Sequence, residues 1–184
     1  MGCVVLTGYD LLCKLEDSGS GARQTVYLGL VSDLDQSNPF DENGSGDVNS
    51  INFQNYKGFV KFVGLTNGNT ANYDIQKTDD GNPFYPMSMV LKLFDTTTDD
   101  KTFLTNLAKA EDVFGVIESA NGRFEIVGTN PGLKVESAPR TLGLTPQDSS
   151  ARVLTLSGDQ VEIEKLFSVE NRTQTVATLD SYVI

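Results

Sequence analysis

The chain has 184 residues, a hydrophobic content of 39% and a net charge of −11 from 25 acidic and 14 basic residues. This length fits one domain with a substantial core, and the absence of a Lys/Arg cluster argues against tight binding to nucleic-acid phosphates. The chain contains no His, which removes the usual member of acid–base and triad chemistry, and no hydrophobic run approaches the roughly 20 residues of a membrane span.

The first 31 residues predict a strand or loop, a flexible turn over DSGSGA, and a strand from Gln24 to Val31 in which apolar residues alternate. The opening segment lacks the basic region that a signal peptide carries. Cys3 and Cys13 are the only two cysteines, so without His they offer two ligands and predict no metal site. We interpret them as free, half-buried thiols in preference to a disulfide pair.

Residues 32–57 form a long polar segment that is rich in turn-forming residues. A structureless loop of more than about 15 residues is unusual inside a compact domain. We therefore predict an extended arm that becomes ordered on a neighbouring subunit, with a mobile loop as the alternative. Deleting residues 38–50 should then weaken assembly and leave the domain folded. Four apolar residues of this arm are the candidates for burial on the neighbouring subunit: Phe40, Ile51, Phe53 and Tyr56.

Two strand regions, at 58–78 and 83–94, precede the one segment with a clear helical period. The pattern predicts a helix over Asp99–Ala110, because acidic residues in the first turn suit the helix dipole. Three apolar residues of this segment form a single narrow stripe, so we expect the helix to pack on a sheet through them. These residues are Phe103, Leu104 and Leu107.

Residues 113–136 predict a hairpin around Asn121-Gly122, which is a strong turn signal, and a third strand after it. A second hairpin is predicted through Gly158-Asp159, and the closing residues TVATLDSYVI predict a last strand. No repeat or boundary divides the chain. The prediction is therefore one mainly β domain over residues 1–184, an antiparallel β-sandwich or barrel of about ten strands with one flanking α-helix.

No group of residues is arranged as a reaction centre. Asp79 and Asp80 lie in a turn beside Gly81, where solvated carboxylates are ordinary. The nucleophile-elbow, Walker A, zinc-protease and complete EF-hand patterns are absent, and the chain has no Trp to stack on a sugar. We therefore predict a protein that is not an enzyme and has no catalytic residue, cofactor or metal.

Two segments carry a resemblance to a known family. The opening MGCVVLTGYDLLCKLEDSGSGARQTVYL resembles the start of virion structural proteins from tailed phages of Bacteroidetes hosts. The unit MVLKLFDTTTDDKTFLTNLAKAEDVFGVIESANGRFEIVGTNPGLKVES is similar to the middle of those proteins, with a strand, a helix, an Asn-Gly turn and a further strand in the same order. Phe124 stands where the family often has Trp, and the segment SSARVLTLSGDQVE matches only in its hydrophobic pattern.

The resemblance implies a virion protein of the tail-tube type, assembled in the host cytoplasm. Proteins of this kind form hexameric rings that stack into a conduit for DNA. The implied partners are further copies of the chain, other tail or connector proteins, and DNA that passes through without tight binding, with no membrane involved. A head–tail connector, a tail terminator or a decoration protein is the alternative within phage particles, and a non-viral β-sandwich binding module is the alternative outside them.

A conduit for DNA should repel phosphates, and an excess of carboxylates does so. Acidic residues alternate with apolar ones at four positions, which makes them candidates for the wall of a lumen. These are Asp74, Glu125, Glu162 and Glu164. The alternative is that they lie on the outer surface and keep the protein soluble.

Overall fold

A computed structural model describes residues 5–6, 9–10, 22–63, 69–93, 98–141 and 151–184 of the chain. Two short strands, β1 (Val5–Leu6) and β2 (Tyr9–Asp10), pair with each other near the start. The other described strands form two open sheets that share a core, so the fold is mainly β and sandwich-like, as the sequence predicts. The interpretation of Cys3 and Cys13 concerns residues outside the described part of the chain.

The larger sheet has seven strands. They are β3 (Ala22–Leu30), β4 (Phe40–Glu42), β5 (Val48–Ile51), β6 (Val60–Val63), β10 (Val113–Ser119), β11 (Phe124–Val127) and β15 (Lys165–Phe167). Their order across the sheet is β4-β5-β15-β11-β10-β3-β6. Neighbouring strands are antiparallel except β5 and β15, which run parallel and pair through Val48 and Phe167. This sheet is the central layer of the molecule, because both of its faces are covered.

The smaller sheet has six strands and lies on one face of the larger one. They are β7 (Thr70–Tyr73), β8 (Gln76–Lys77), β9 (Pro83–Leu93), β12 (Lys134–Ser137), β13 (Arg140–Thr141) and β14 (Ala151–Gln160). The order is β12-β14-β9-β7, and β13 and β8 add short pairings to β14 and β9. The long pair β9 and β14 forms the middle of this sheet.

The core between the sheets consists of side chains that alternate along the strands. The larger sheet contributes Val26, Leu28, Val113, Ile117 and Val127, and the smaller sheet contributes Met87, Met89, Leu91, Leu154 and Leu156. The sheets approach closely at Gly115, where a Cβ atom would lie 2.8 Å from the Met89 Cε atom. The two methionines are thus core residues, in keeping with their alternation in the sequence.

A second core covers the opposite face of the larger sheet. The strand residues Tyr27, Phe114, Val116, Phe124, Ile126 and Phe167 pack there against Leu34, Val48, Ile51, Phe59 and Leu179. Two segments form the cover: the chain between β3 and β6, which begins with a short 3-10 helix (Val31–Asp33), and a C-terminal helix.

The prediction of a last strand at the C-terminus is wrong, because residues Arg172–Ser181 form an α-helix, called α2 here. The described part of the chain thus has a second α-helix besides the predicted one. Asn171 begins the helix, since its side chain accepts a hydrogen bond from the Gln174 N–H group at 3.1 Å. Apolar or buried residues recur at helical spacing and face the second core: Thr175, Val176, Leu179, Tyr182 and Val183. This spacing, together with the cap, was the signal for a helix.

The two predicted hairpins have opposite outcomes. The hairpin around Asn121-Gly122 is confirmed, since β10 and β11 pair across it and Gly122 has φ +85°. The hairpin through Gly158-Asp159 is wrong, because both residues lie inside β14. At Gly158 a Cβ atom would lie 2.8 Å from the Gly132 oxygen. The glycine therefore serves a close backbone approach and makes no turn.

The first helix, α1 (Thr98–Leu107), confirms the predicted helix and its apolar stripe. Leu107 is buried, Phe103 and Leu104 are half-buried, and all three pack on the core between the sheets. The Phe103 ring meets the Phe62 ring of β6 at a centroid distance of 5.1 Å in an edge-on arrangement. The helix thus covers the edge of the sandwich beside β6.

We predict that Leu107→Ala lowers the free energy of unfolding by about 2–5 kcal/mol, because it removes a side chain that is only 6% exposed and leaves a cavity. Urea denaturation followed by circular dichroism measures the loss. Lys101→Ala is the control, since this residue lies in the same helix and is exposed. An equal effect of the two substitutions would contradict the packing of α1 described above.

Candidate functional site

The segment 32–57 is part of the domain, so the prediction of an extended loop is wrong. It forms strands β4 and β5, and β5 pairs with β15 of the same chain. Ile51 is 2% exposed, and Phe40 and Phe53 are half-buried. Of the four predicted arm residues, only Tyr56 is free for a partner, with 99% of its surface exposed.

Aromatic rings fix this segment to the larger sheet. The Phe53 ring lies 5.0 Å from the Phe59 ring, and the Phe59 ring lies 5.4 Å from the Phe114 ring. Phe40 meets Phe114 edge-on at 6.3 Å, and Tyr182, which follows α2, lies 5.8 Å from Phe53. Such contacts add to the burial of the rings, so the segment is held within one chain.

Two of the predicted acidic residues meet at one end of the sandwich. The Tyr73 hydroxyl group donates a hydrogen bond of 2.6 Å to the Glu125 Oε2 atom, which joins β7 to β11 across the two sheets. Glu164 lies close by, since its charge acts on Tyr73 and the charge of Glu125 acts on Glu164. Burial, and then the bond to Glu125, raises the pKa of Tyr73 far above its ordinary value. The tyrosine therefore stays protonated and acts as a donor.

Glu164 is the unusual member of this group. Its Oε2 atom is buried and has no hydrogen-bond partner among the described residues, a costly state for a carboxylate oxygen. Burial is the main cause that raises the pKa of Glu164, and the charge of Glu125 adds to it.

The other two predicted acids, Asp74 and Glu162, are exposed, and in the sequence they lie within two residues of Tyr73 and Glu164. Asp74 follows Tyr73, and its pKa is lowered by hydrogen bonds from the Gln76 side chain and then from the Ile75 N–H group. Glu162 is paired with Lys165 at 3.4 Å, and Lys165 also binds Glu42 at 2.8 Å. The structure thus brings Glu125 and Glu164 together. Asp74 instead lines a groove on the outer face of the smaller sheet, and Glu162 lies with Lys165 beside Phe40.

Large exposed apolar residues occur in two groups within the part of the chain that the structure describes. Ile75, Val161, Ile163 and Leu166 are 63%, 67%, 48% and 38% exposed. Each lies within three residues of Tyr73 or Glu164 in the chain, and Leu166 is also the strand partner of Glu125. We call these four side chains and the acids Glu125 and Glu164 the acidic–apolar patch.

Tyr56 and Ile184 form the second group and are 99% and 74% exposed. Ile184 lies beside the residues that follow Tyr56, because the Ile184 N–H group binds the Phe59 oxygen at 3.1 Å and a Cβ atom on Gly58 would lie 2.9 Å from the Ile184 Cγ2 atom. Tyr56 has φ +62°, a left-handed conformation that is uncommon for a side chain of this size. We call Tyr56 and Ile184 the Tyr56 knob.

A polar network that the sequence did not reveal fixes α2 to the larger sheet. Asp180 accepts hydrogen bonds from the Tyr27 hydroxyl group at 2.7 Å and from Lys61 at 2.6 Å. Lys61, and then Tyr27, lowers the pKa of Asp180. At the other end of α2, Arg172 forms a two-pronged ion pair with Glu118, whose side chain is 4% exposed. Polar side chains at both ends of α2 thus hold the helix on the larger sheet.

A groove with a volume of about 440 Å³ crosses the outer face of the smaller sheet. Asn72, Ser88 and Ser157 are neighbours across three strands, with Asp74 and Asp159 at one end. Across the described residues, no group of three or more potential ligands is placed to hold a metal ion, and neither α1 nor α2 has the length and hydropathy of a membrane span.

We predict that Glu164→Gln stabilises the protein at pH 7. Because the folded state raises the pKa of Glu164, wild-type stability falls as pH rises from the ordinary carboxyl value to the raised one, and the deficit is complete above both. The gain of the variant should therefore vanish below about pH 4, where both states are protonated, and should grow as pH rises through the raised pKa of Glu164. Thermal unfolding across this pH range measures the gain.

Glu162→Gln is the matched control, because Glu162 is an exposed neighbour with an ion pair to Lys165. It should give no gain at pH 7. A pH-independent effect of Glu164→Gln, or an equal gain from both substitutions, would contradict the assignment of a desolvated carboxyl group to Glu164.

Comparisons with protein-family models, with curated proteins and with solved structures found no match to this chain.

Proposed function

We propose that this protein is a structural subunit of a tailed-phage particle that assembles with copies of itself into rings of the tail-tube type. The rings would stack into a conduit for DNA within the virion, with hexameric symmetry as the family resemblance implies. The resemblance of the first 28 residues and of residues 89–137 supports this proposal.

The observation that carries the proposal is the pair of exposed apolar surfaces, the acidic–apolar patch and the Tyr56 knob. Isolated apolar side chains on a surface are ordinary, but several that lie together favour a contact with another protein. The proposal needs no reaction centre, and under it both surfaces would contact other subunits.

The charge of the chain also fits a conduit. A net charge of −11 keeps DNA from adhering to the subunit, since tight binding requires clustered cations to neutralise phosphates. Which acids line a lumen stays a prediction. Glu125 is already engaged by Tyr73 between the sheets, and Asp74 and Glu162 are exposed.

Electron microscopy of the purified wild-type protein tests the proposal. Long tubes of stacked rings are the expected result. Discrete rings that never stack would favour a connector, terminator or decoration protein. Monomers at every concentration, confirmed by analytical ultracentrifugation, would overturn the proposal and favour a β-sandwich binding module.

A further inference from the structure

Asparagine followed by glycine is a chemically labile pair, because glycine has no Cβ atom to hinder its own nitrogen. The chain contains three such pairs, Asn43-Gly44, Asn67-Gly68 and Asn121-Gly122. The second pair lies outside the described residues. The first and the third lie in hairpin turns, where the structure shows what surrounds each glycine nitrogen.

The turns that join β4 to β5 and β10 to β11 are built alike. Each encloses three residues, since the Asn43 N–H group binds the Asp47 oxygen and the Ser119 N–H group binds the Arg123 oxygen, both at 2.8 Å. Each ends on a glycine in the left-handed region, with φ of +86° in the first turn and +85° in the second. Asn43 stands directly before its three-residue loop, whereas Asn121 stands in the middle of the other.

This difference in position decides whether the glycine nitrogen is free to react. In the first turn Gly46 donates the internal hydrogen bond, to the Asn43 oxygen at 3.0 Å, and the Gly44 N–H group has no hydrogen-bond partner among the described residues. In the second turn Gly122 itself donates the corresponding bond, to the Ser119 oxygen at 2.9 Å. The turn therefore holds the nitrogen of Gly122 and leaves that of Gly44 open to solvent.

The side-chain amide of Asn43 is also held in a reactive environment. Its Oδ1 atom accepts hydrogen bonds from the Ser45 N–H group at 2.9 Å and from the Asp47 N–H group at 3.1 Å. Two N–H groups aimed at one carbonyl oxygen stabilise the negative charge that forms on it when the carbon is attacked. The Asn121 Oδ1 atom likewise accepts from two donors. The two amides are thus alike, and the state of the glycine nitrogen distinguishes them.

We infer that Asn43 is a site of spontaneous deamidation in the folded protein and that Asn121 is protected. This inference does not depend on the proposed function. The site lies at the tip of the hairpin that begins with β4, which is an edge strand of the larger sheet. Cβ atoms on Gly44 and Gly46 would meet nothing within 4 Å, so the altered turn has room and the domain stays folded.

The reaction needs only water and hydroxide from the solvent. Hydroxide removes the proton of the Gly44 nitrogen, which then attacks the Asn43 Cγ atom and forms a new carbon–nitrogen bond. The bond from Cγ to the side-chain nitrogen breaks, and that nitrogen takes up a proton and leaves as ammonia. Water opens the resulting cyclic imide to aspartate or to a β-linked aspartate. The product adds one negative charge to a chain whose net charge is −11.

Storage of the purified full chain at mildly alkaline pH tests this inference. Peptide mass spectrometry after digestion at acidic pH measures conversion at each site, through the mass gain of an acid over an amide. Conversion at Asn43 should be at least about fivefold faster than at Asn121, because Asn121 reacts only after a hydrogen bond in its turn has broken. It should also slow as the pH falls, since hydroxide is consumed in the first step.

Two controls separate the effect of the fold from that of the sequence. In urea the two sites should convert at similar rates, because both are Asn-Gly pairs. Gly44→Ala should slow conversion at Asn43 and leave the melting temperature unchanged, because the added Cβ atom meets nothing within 4 Å. Folded protein in which Asn121 converts as fast as Asn43 would overturn the inference. So would an Asn43 that stays intact in the folded chain while the chain in urea converts, or an unchanged rate in Gly44→Ala.

Discussion

Deletion of residues 38–50 is expected to unfold the domain. The deletion removes β4 and most of β5, including Val48, which is 0% exposed, and Phe40, which packs on Phe114. It also removes the Val48 oxygen that accepts a hydrogen bond of 2.9 Å from the Ser168 N–H group. Each buried apolar side chain contributes about 1.5–3 kcal/mol, and a domain of this size has a total stability of about 5–15 kcal/mol. Near-ultraviolet circular dichroism and a thermal melt measure the loss.

A smaller deletion provides the control. Removing residues 44–46 shortens the exposed turn and leaves two residues to connect β4 and β5, which is the commonest hairpin length. Gly44 and Gly46 have open space around them, so the loss of this turn should leave the melting temperature almost unchanged. If the longer deletion melted like the wild type, the segment would not be part of the folded domain. The prediction of an arm that becomes ordered on a neighbouring subunit would then stand again.

The sequence predicted the elements whose signals are local. The hairpin of β10 and β11 follows from Asn121-Gly122, and α1 follows from an acidic first turn and a stripe of three apolar residues. Strands β4 and β5 have three and four residues and little hydrophobic alternation. They exist because β15, more than a hundred residues later in the chain, pairs with β5. A pairing between segments so far apart in the chain cannot be predicted from a short window of sequence.

The C-terminal helix was missed for a different reason. Its residues include Thr173, Thr175, Val176 and Thr178, whose β-branched side chains favour strands. Burial of Leu179 against the larger sheet and the cap at Asn171 outweigh that preference. Propensity is therefore a weaker guide here than the helical spacing of the buried residues.

The candidate site was predicted in part. Alternation of acidic and apolar residues identified Glu125 and Glu164, because that pattern marks strands with one polar face. It did not identify Tyr73, since the Glu125 that accepts its hydrogen bond is 52 residues away.

Phe114→Ala is expected to lower the free energy of unfolding by about 3–5 kcal/mol, because the ring is 0% exposed and contacts three other phenylalanines. The position of the Phe114 ring depends on a glycine of the neighbouring strand. Gly29 is the strand partner of Phe114, and the ring covers it so closely that a Cβ atom on Gly29 would lie 2.8 Å from the Phe114 Cε1 atom. Gly29→Ala alone should therefore also destabilise the fold, by about 1–3 kcal/mol.

The two substitutions should partly compensate when they are combined. Removing the ring leaves a cavity directly above Gly29, and the alanine methyl group fills part of it. The double variant should therefore be more stable than the sum of the single effects predicts, by about 0.5–3 kcal/mol, which a double-mutant cycle in urea measures. Purely additive effects would show that the ring does not rest on Gly29.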